Sequence, residues 1–126
     1  AYLLRHLQFK NVTKTTNYTL TADDLLVLAN ATTAKITVTL PTAVGSQHVA
    51  YAIKKTDTTA HRVVVVPQGA ETVDGAAAFA LRFAYEAIIV ASDGANWWIP
   101  AGWIAPAAAV PGYRSFPYLW MGGAGA

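Results

Sequence analysis

Cysteine is absent from the chain, and charge is scarce. Without thiols there is no disulfide framework and no thiolate metal site, so stability must come from packing and partners. Nine Lys and Arg against seven Asp and Glu leave a net charge of +2, and no basic run extends beyond Lys54-Lys55. That balance excludes the basic face a nucleic-acid partner requires. No uninterrupted apolar run reaches the length of a membrane helix, because the richest stretch, residues 87–110, is broken by Asp93, Gly94, Pro100, Gly102 and Pro106. A signal peptide is missing as well: residues 1–7 carry Arg5 and His6 and no long apolar core. An initiator Met before Ala is normally removed, so Ala1 reads as the mature start of a complete small protein.

What fills the space left by charge is apolar. Hydrophobic residues make up 54% of the 126 and charged residues 13%, and the mean hydropathy is +0.32. A chain of this length is one domain and buries roughly two-thirds of its unfolded surface. The remainder is too apolar for a small monomer to expose, which points to a homo-oligomer.

The dominant periodicity is two. In KITVTLP, Ile36, Val38 and Leu40 alternate with Thr37 and Thr39, and a proline ends the run. Tyr51 and Ile53 keep the same phase in YAIKK, whereas RVVVV and YEAIIVAS are continuous apolar runs, as in strands covered on both faces. Asp93-Gly94 and Asp74-Gly75 mark tight turns, and TADD before LLVLAN reads as a turn into a short strand in preference to a capped helix. Strands are expected near residues 3–9, 17–20, 25–29, 35–40, 49–55, 62–67, 78–83 and 85–92, with a short one at 97–99. The expected fold is all-β: one compact antiparallel β-sandwich or barrel-like domain. Its parts would be an N-terminal strand or arm (1–16), the β domain (17–99) and an extended C-terminal arm (100–126) rich in Pro and Gly.

That arm is unusual in composition. From Ala95 onward Arg114 is the only charged side chain, although all four Trp lie there. Proline-interrupted apolar chain cannot build its own ladder and must lie on another surface. Trp103, Tyr113, Arg114, Phe116, Tyr118, Leu119, Trp120 and Met121 are therefore candidate interface residues, with the aromatics as anchors and Arg114 as a rim or paired charge. Trp97 and Trp98 form the alternative, a stacking platform for a sugar.

Catalytic patterns are weak. The carboxylate candidates Asp23-Asp24, Glu71 with Asp74, and Glu86 with Asp93 read as turn and loop chemistry. His6, His48 and His61 lack metal-ligand spacing, and Ser46, Ser92 and Ser115 sit in no nucleophile turn. No enzyme activity, metal or cofactor is expected.

Taken in order, YTLTADD, ITVTLPTA, YAIKKTD, VVVVPQGAETVDG and YEAIIVASDGANWWI resemble a small module that recurs in bacteriophage virion proteins, especially tail fibres and head fibres. The resemblance spans residues 17–99. It implies a compact β domain on the outside of a virion, commonly trimeric, with no active site to carry over. The short length and the apolar arm favour a separate capsid decoration or head-fibre protein, made in the host cytoplasm, whose partners are its own copies and the major capsid protein or another virion protein. The alternative is a tail-fibre or tail-tip adhesin that binds a host glycan.

Overall fold

The structure, a computed structural model, describes residues 10–47 and 49–104. Nine strands are present among them: β1 (Lys10–Lys14), β2 (Tyr18–Thr19), β3 (Asp24–Ala29), β4 (Ile36–Thr39), β5 (Ala50–Lys55), β6 (Val63–Val66), β7 (Phe79–Leu81), β8 (Ala87–Ser92) and β9 (Trp97–Trp103). The described residues contain no helix. The expected strand at 3–9 lies outside the described residues.

Strands distribute between two mixed sheets, in the orders β1-β3-β5-β8-β9 and β2-β4-β6-β7. This corrects the antiparallel expectation. From β1 to β6 the chain changes sheet with every strand, so each strand returns beside its predecessor in the same sheet and in the same direction. The pairings β1–β3, β3–β5, β2–β4 and β4–β6 are accordingly parallel. Only the later pairs, β5–β8, β6–β7 and β8–β9, are antiparallel.

The period-two pattern becomes a single core. Val27, Ile53, Ile88 and Val90 of the larger sheet and Ile36, Val38, Val63, Val65 and Leu81 of the smaller one are all fully buried in one cluster. Burying each such side chain is worth roughly 1.5–3 kcal/mol. The continuous runs RVVVV and AIIVAS prove to alternate as well. Val64 and Val66 are half-buried and Ile89 is exposed, so β6 and β8 are not covered on both faces by described residues.

Turn chemistry follows the sequence. Asp74 (φ 50°) and Gly75 (φ 80°) form a two-residue hairpin closed by reciprocal hydrogen bonds between the backbones of Val73 and Ala76. In TADD the Asp24 amide donates to the Thr21 carbonyl, and the chain enters β3 without a helical turn.

Two boundaries shift. β1 lies inside the stretch read as an N-terminal arm and pairs along β3, while β9 continues past Ile99 to Trp103, with Ile104 buried. The extension passes through Pro100, tolerated because β9 is an edge strand. Ile89 pairs with Ala101 and Ala91 with Trp98, so Ile99 and Pro100 together oppose Val90 in a bulge.

Charge also enters the core. The Lys55 ammonium donates to Asp57 Oδ2 at 2.6 Å, with both side chains buried. Asp57 accepts further bonds from the Ala31 amide (2.7 Å), the Thr59 amide (3.0 Å) and the Thr59 hydroxyl. Burial alone would push this carboxyl up; the Lys55 ammonium and the Thr59 and Ala31 donors outweigh it and hold the carboxyl well below its ordinary range.

Candidate functional site

Most of the carboxylates considered for catalysis hold backbone. Glu71 accepts the Thr42 hydroxyl at 2.7 Å and the Ala43 amide at 2.9 Å, fastening the β6–β7 connection to the β4–β5 connection. Asp74 accepts the Ile99 amide at 2.9 Å. Asp93 accepts the Ala95 and Asn96 amides and the Trp98 indole N–H, and these donors, the Asn96 amide first, keep its carboxyl below the usual range. Glu86 and Asp93 flank opposite ends of β8, roughly 20 Å of extended chain apart. Glu86 is buried, and its Oε1 accepts the amides of Arg82 and Phe83.

Asp24 is the other buried carboxylate tied to a turn. Its Oδ2 accepts the Tyr18 hydroxyl at 2.7 Å and the Thr21 amide at 2.9 Å, and Lys10 Nζ lies 3.5 Å from Oδ1. Burial pushes the Asp24 carboxyl up, but the Tyr18 hydroxyl, the Thr21 amide and Lys10 bring it below its ordinary value. In return the hydrogen bond to Asp24, helped by burial and the carboxylate's charge, pushes the Tyr18 phenol up to about 12. Asp23 points outward and accepts the Thr21 hydroxyl, so the adjacent pair does not converge.

The tryptophans divide sharply. Trp97 is fully buried, its ring 5.8 Å from that of Tyr51, and its indole N–H has no partner among the described residues. A core ring cannot stack on a sugar, which removes Trp97 from the stacking pair. Trp98, next along β9, faces the other way and is 47% exposed, its indole fixed by the 2.8 Å bond to Asp93. Trp103 is 46% exposed. Tyr113, Arg114, Phe116, Tyr118, Leu119, Trp120 and Met121 lie outside the described residues.

The register places Trp98 and Trp103 on one continuous surface. Across β9, β8, β5 and β3, the outward positions paired with them are Ala101; Ala87, Ile89 and Ala91; Ala50, Ala52 and Lys54; and Leu26 and Leu28. Lys54 is the only charge on this stretch of sheet. Its ammonium reaches over the rim to the Tyr85 carbonyl at 2.8 Å, leaving the middle of the face apolar. The sequence contained this surface in AYA, AIIVA and WWIPAGW, but only the strand order assembles it.

At another place in the fold, Thr58, Thr59, Ala60, Arg62, Arg82, Phe83 and Ala84 line a cleft of about 390 Å³. None of these residues stands out in the sequence, because the two arginines meet only through the β6–β7 register.

Among the described residues no three His, Asp or Glu side chains cluster as a metal site requires, and no helix is long and apolar enough to cross a membrane. His61 Nδ1 lies 2.8 Å from the Ala31 carbonyl; His48 and His6 are outside the described residues. No protein-family model, curated protein or solved structure matches the chain.

Proposed function

We propose that the chain is a non-enzymatic structural protein of a bacteriophage particle, a sandwich of two sheets that assembles as a homo-oligomer, a trimer, and decorates the outer capsid surface as a decoration or head-fibre protein. The observation that carries this reading is the outer face of the five-stranded sheet. Trp98, Trp103, Ile89, Leu26 and Leu28 lie on one surface, and three of them are substantially exposed. Exposed apolar area on this scale marks a surface that another protein covers.

The occupant is a second copy of the chain. With charged residues at 13%, the sequence offers few charged side chains to keep such a face in water. The 72–74 segment already occupies the outer edge of β9 at Trp97 and Ile99, so the apolar face itself is the surface a sister subunit meets. The carboxylates support a structural role in the same way, since all but Asp23 accept backbone amides and hold loops in place.

Ile89 is 41% exposed at the centre of this face. Ile89→Glu therefore introduces charge with little effect on the core beneath it, and sedimentation equilibrium at micromolar concentration tests the reading. Wild-type protein is expected to sediment as a trimer and Ile89→Glu as a folded monomer. A wild-type monomer, or an oligomer indifferent to Ile89→Glu, overturns it.

A second reading has one specific observation behind it. The exposed Trp98 ring is held by Asp93 in a fixed orientation, as a sugar-stacking platform in a tail-fibre adhesin would be. Loss of host-glycan binding on Trp98→Ala, with assembly intact, would favour it.

A further inference from the structure

We infer that the cleft between Arg62 and Arg82 is a binding site for a carboxylate-bearing sugar. Val63 pairs with Leu81 at the end of the antiparallel β6–β7 ladder. One step further, the register sets Arg62 and Arg82 opposite each other. Both are exposed, share the outward phase of Val64 and Ala80, and line the same cleft.

Like charges directly opposite across a strand pair destabilise it unless something neutralises them. No described residue supplies the neutralising group. All seven acidic residues lie within the described segments, each engaged elsewhere as described above, and neither guanidinium forms an ion pair with a described residue. The nearest carboxylate in sequence, Glu86, is buried and directs Oε1 to the backbone of Arg82 and Phe83. It shapes the wall of the cleft.

The remaining lining selects the kind of anion. Two guanidinium forks match a planar carboxylate through paired N–H···O bonds. Thr58 is exposed, and its hydroxyl makes no hydrogen bond among the described residues, so it is available to a ligand hydroxyl. A volume of about 390 Å³ falls in the range of small-ligand sites, roughly 300–1,000 Å³. A single pyranose ring bearing a carboxylate uses both guanidinium groups and the Thr58 hydroxyl. A nucleic-acid backbone would need a longer basic track than two arginines provide.

The inference stands on different residues from the apolar face, and its readout is ligand affinity, so it fails or survives independently of the oligomer. Full-length protein is titrated by calorimetry with glucuronate, with glucose and with inorganic phosphate. Arg62→Met and Arg82→Met keep the aliphatic stems and remove the forks; Arg62→Lys keeps charge without the fork. Millimolar binding of glucuronate is expected, with no detectable glucose binding, phosphate at least tenfold weaker, and at least a tenfold loss in each of the three variants at unchanged far-ultraviolet circular dichroism. Binding of phosphate as tight as glucuronate, full affinity in the Met variants, or no glucuronate binding at ten millimolar overturns the assignment.

Discussion

Replacing Asp57 by Ala leaves the Lys55 ammonium buried without the carboxylate 2.6 Å away. Breaking a buried ion pair from one side costs about 3–5 kcal/mol, because the surviving charge is neither paired nor solvated. The same change strips the Ala31 and Thr59 amides of their acceptor, and each buried amide left unpaired costs a further ~1–3 kcal/mol unless water reaches it. Lys55→Met is a milder insult. Asp57 keeps both amides and the Thr59 hydroxyl, and the Met side chain fills the space of the lysine stem, so a cost of about 2 kcal/mol is expected. The double variant Lys55→Met/Asp57→Ala has no orphaned charge and is expected to be more stable than Asp57→Ala alone. Urea unfolding followed by tryptophan fluorescence reads this out, since Trp97 is fully buried beside Tyr51. Asp57→Ala within 1 kcal/mol of wild type, or a double variant less stable than Asp57→Ala, would refute the reasoning.

Acid should expose the same carboxylates. Asp57 and Asp24 are both held below their ordinary values, so their contribution to stability is complete above a pH of about 4 and is lost as pH falls through the folded-state values; a urea midpoint that does not drop between pH 5 and pH 2.5 contradicts this. Tyr18 should ionise near 12, its stabilising bond present below pH 10 and lost as pH rises through 12, and Asp24→Asn should return one tyrosine towards 10 in an ultraviolet titration. Gly102→Ala is expected to cost about 1–3 kcal/mol, because a Cβ there would meet the Ala87 carbonyl oxygen at 2.7 Å and the Ile88 Cα at 3.2 Å across the β8–β9 pair. Thermal unfolding at the wild-type temperature would count against that contact.

Strands and turns were legible because each is a local matter. Alternation in ITVT, and the Asp-Gly pairs at 74–75 and 93–94, mark their conformations without reference to anything distant. Partnership is not local. Period two says that Val38 and Val65 are inward and leaves open that β4 and β6 run parallel. The path that alternates between the sheets shows no sequence repeat because its turns differ in length: Lys10 pairs with Asp24, whereas Leu26 pairs with Ala52. β1 was missed because KNVTK has one apolar residue and earns its place by pairing along an edge.

The candidate residues divide by the same logic. Adjacent Trp97 and Trp98 must face opposite ways in any strand, so one of the proposed stacking pair was bound to be lost to the core. Hydropathy places Lys55, Asp57 and Glu86 outside, and only their partners explain why they lie inside. The outer apolar face and the Arg62–Arg82 cleft belong to the register, which no single stretch of sequence encodes.

As proposed above, this chain belongs to the outer shell of a phage particle. Immunogold electron microscopy of intact purified particles, using antibody raised against the full chain, tests it most directly. Gold distributed over the capsid surface is the expected result. Gold confined to the tail tip would move the assignment to the adhesin reading, and particles free of both gold and the chain's peptides in mass spectrometry would contradict it.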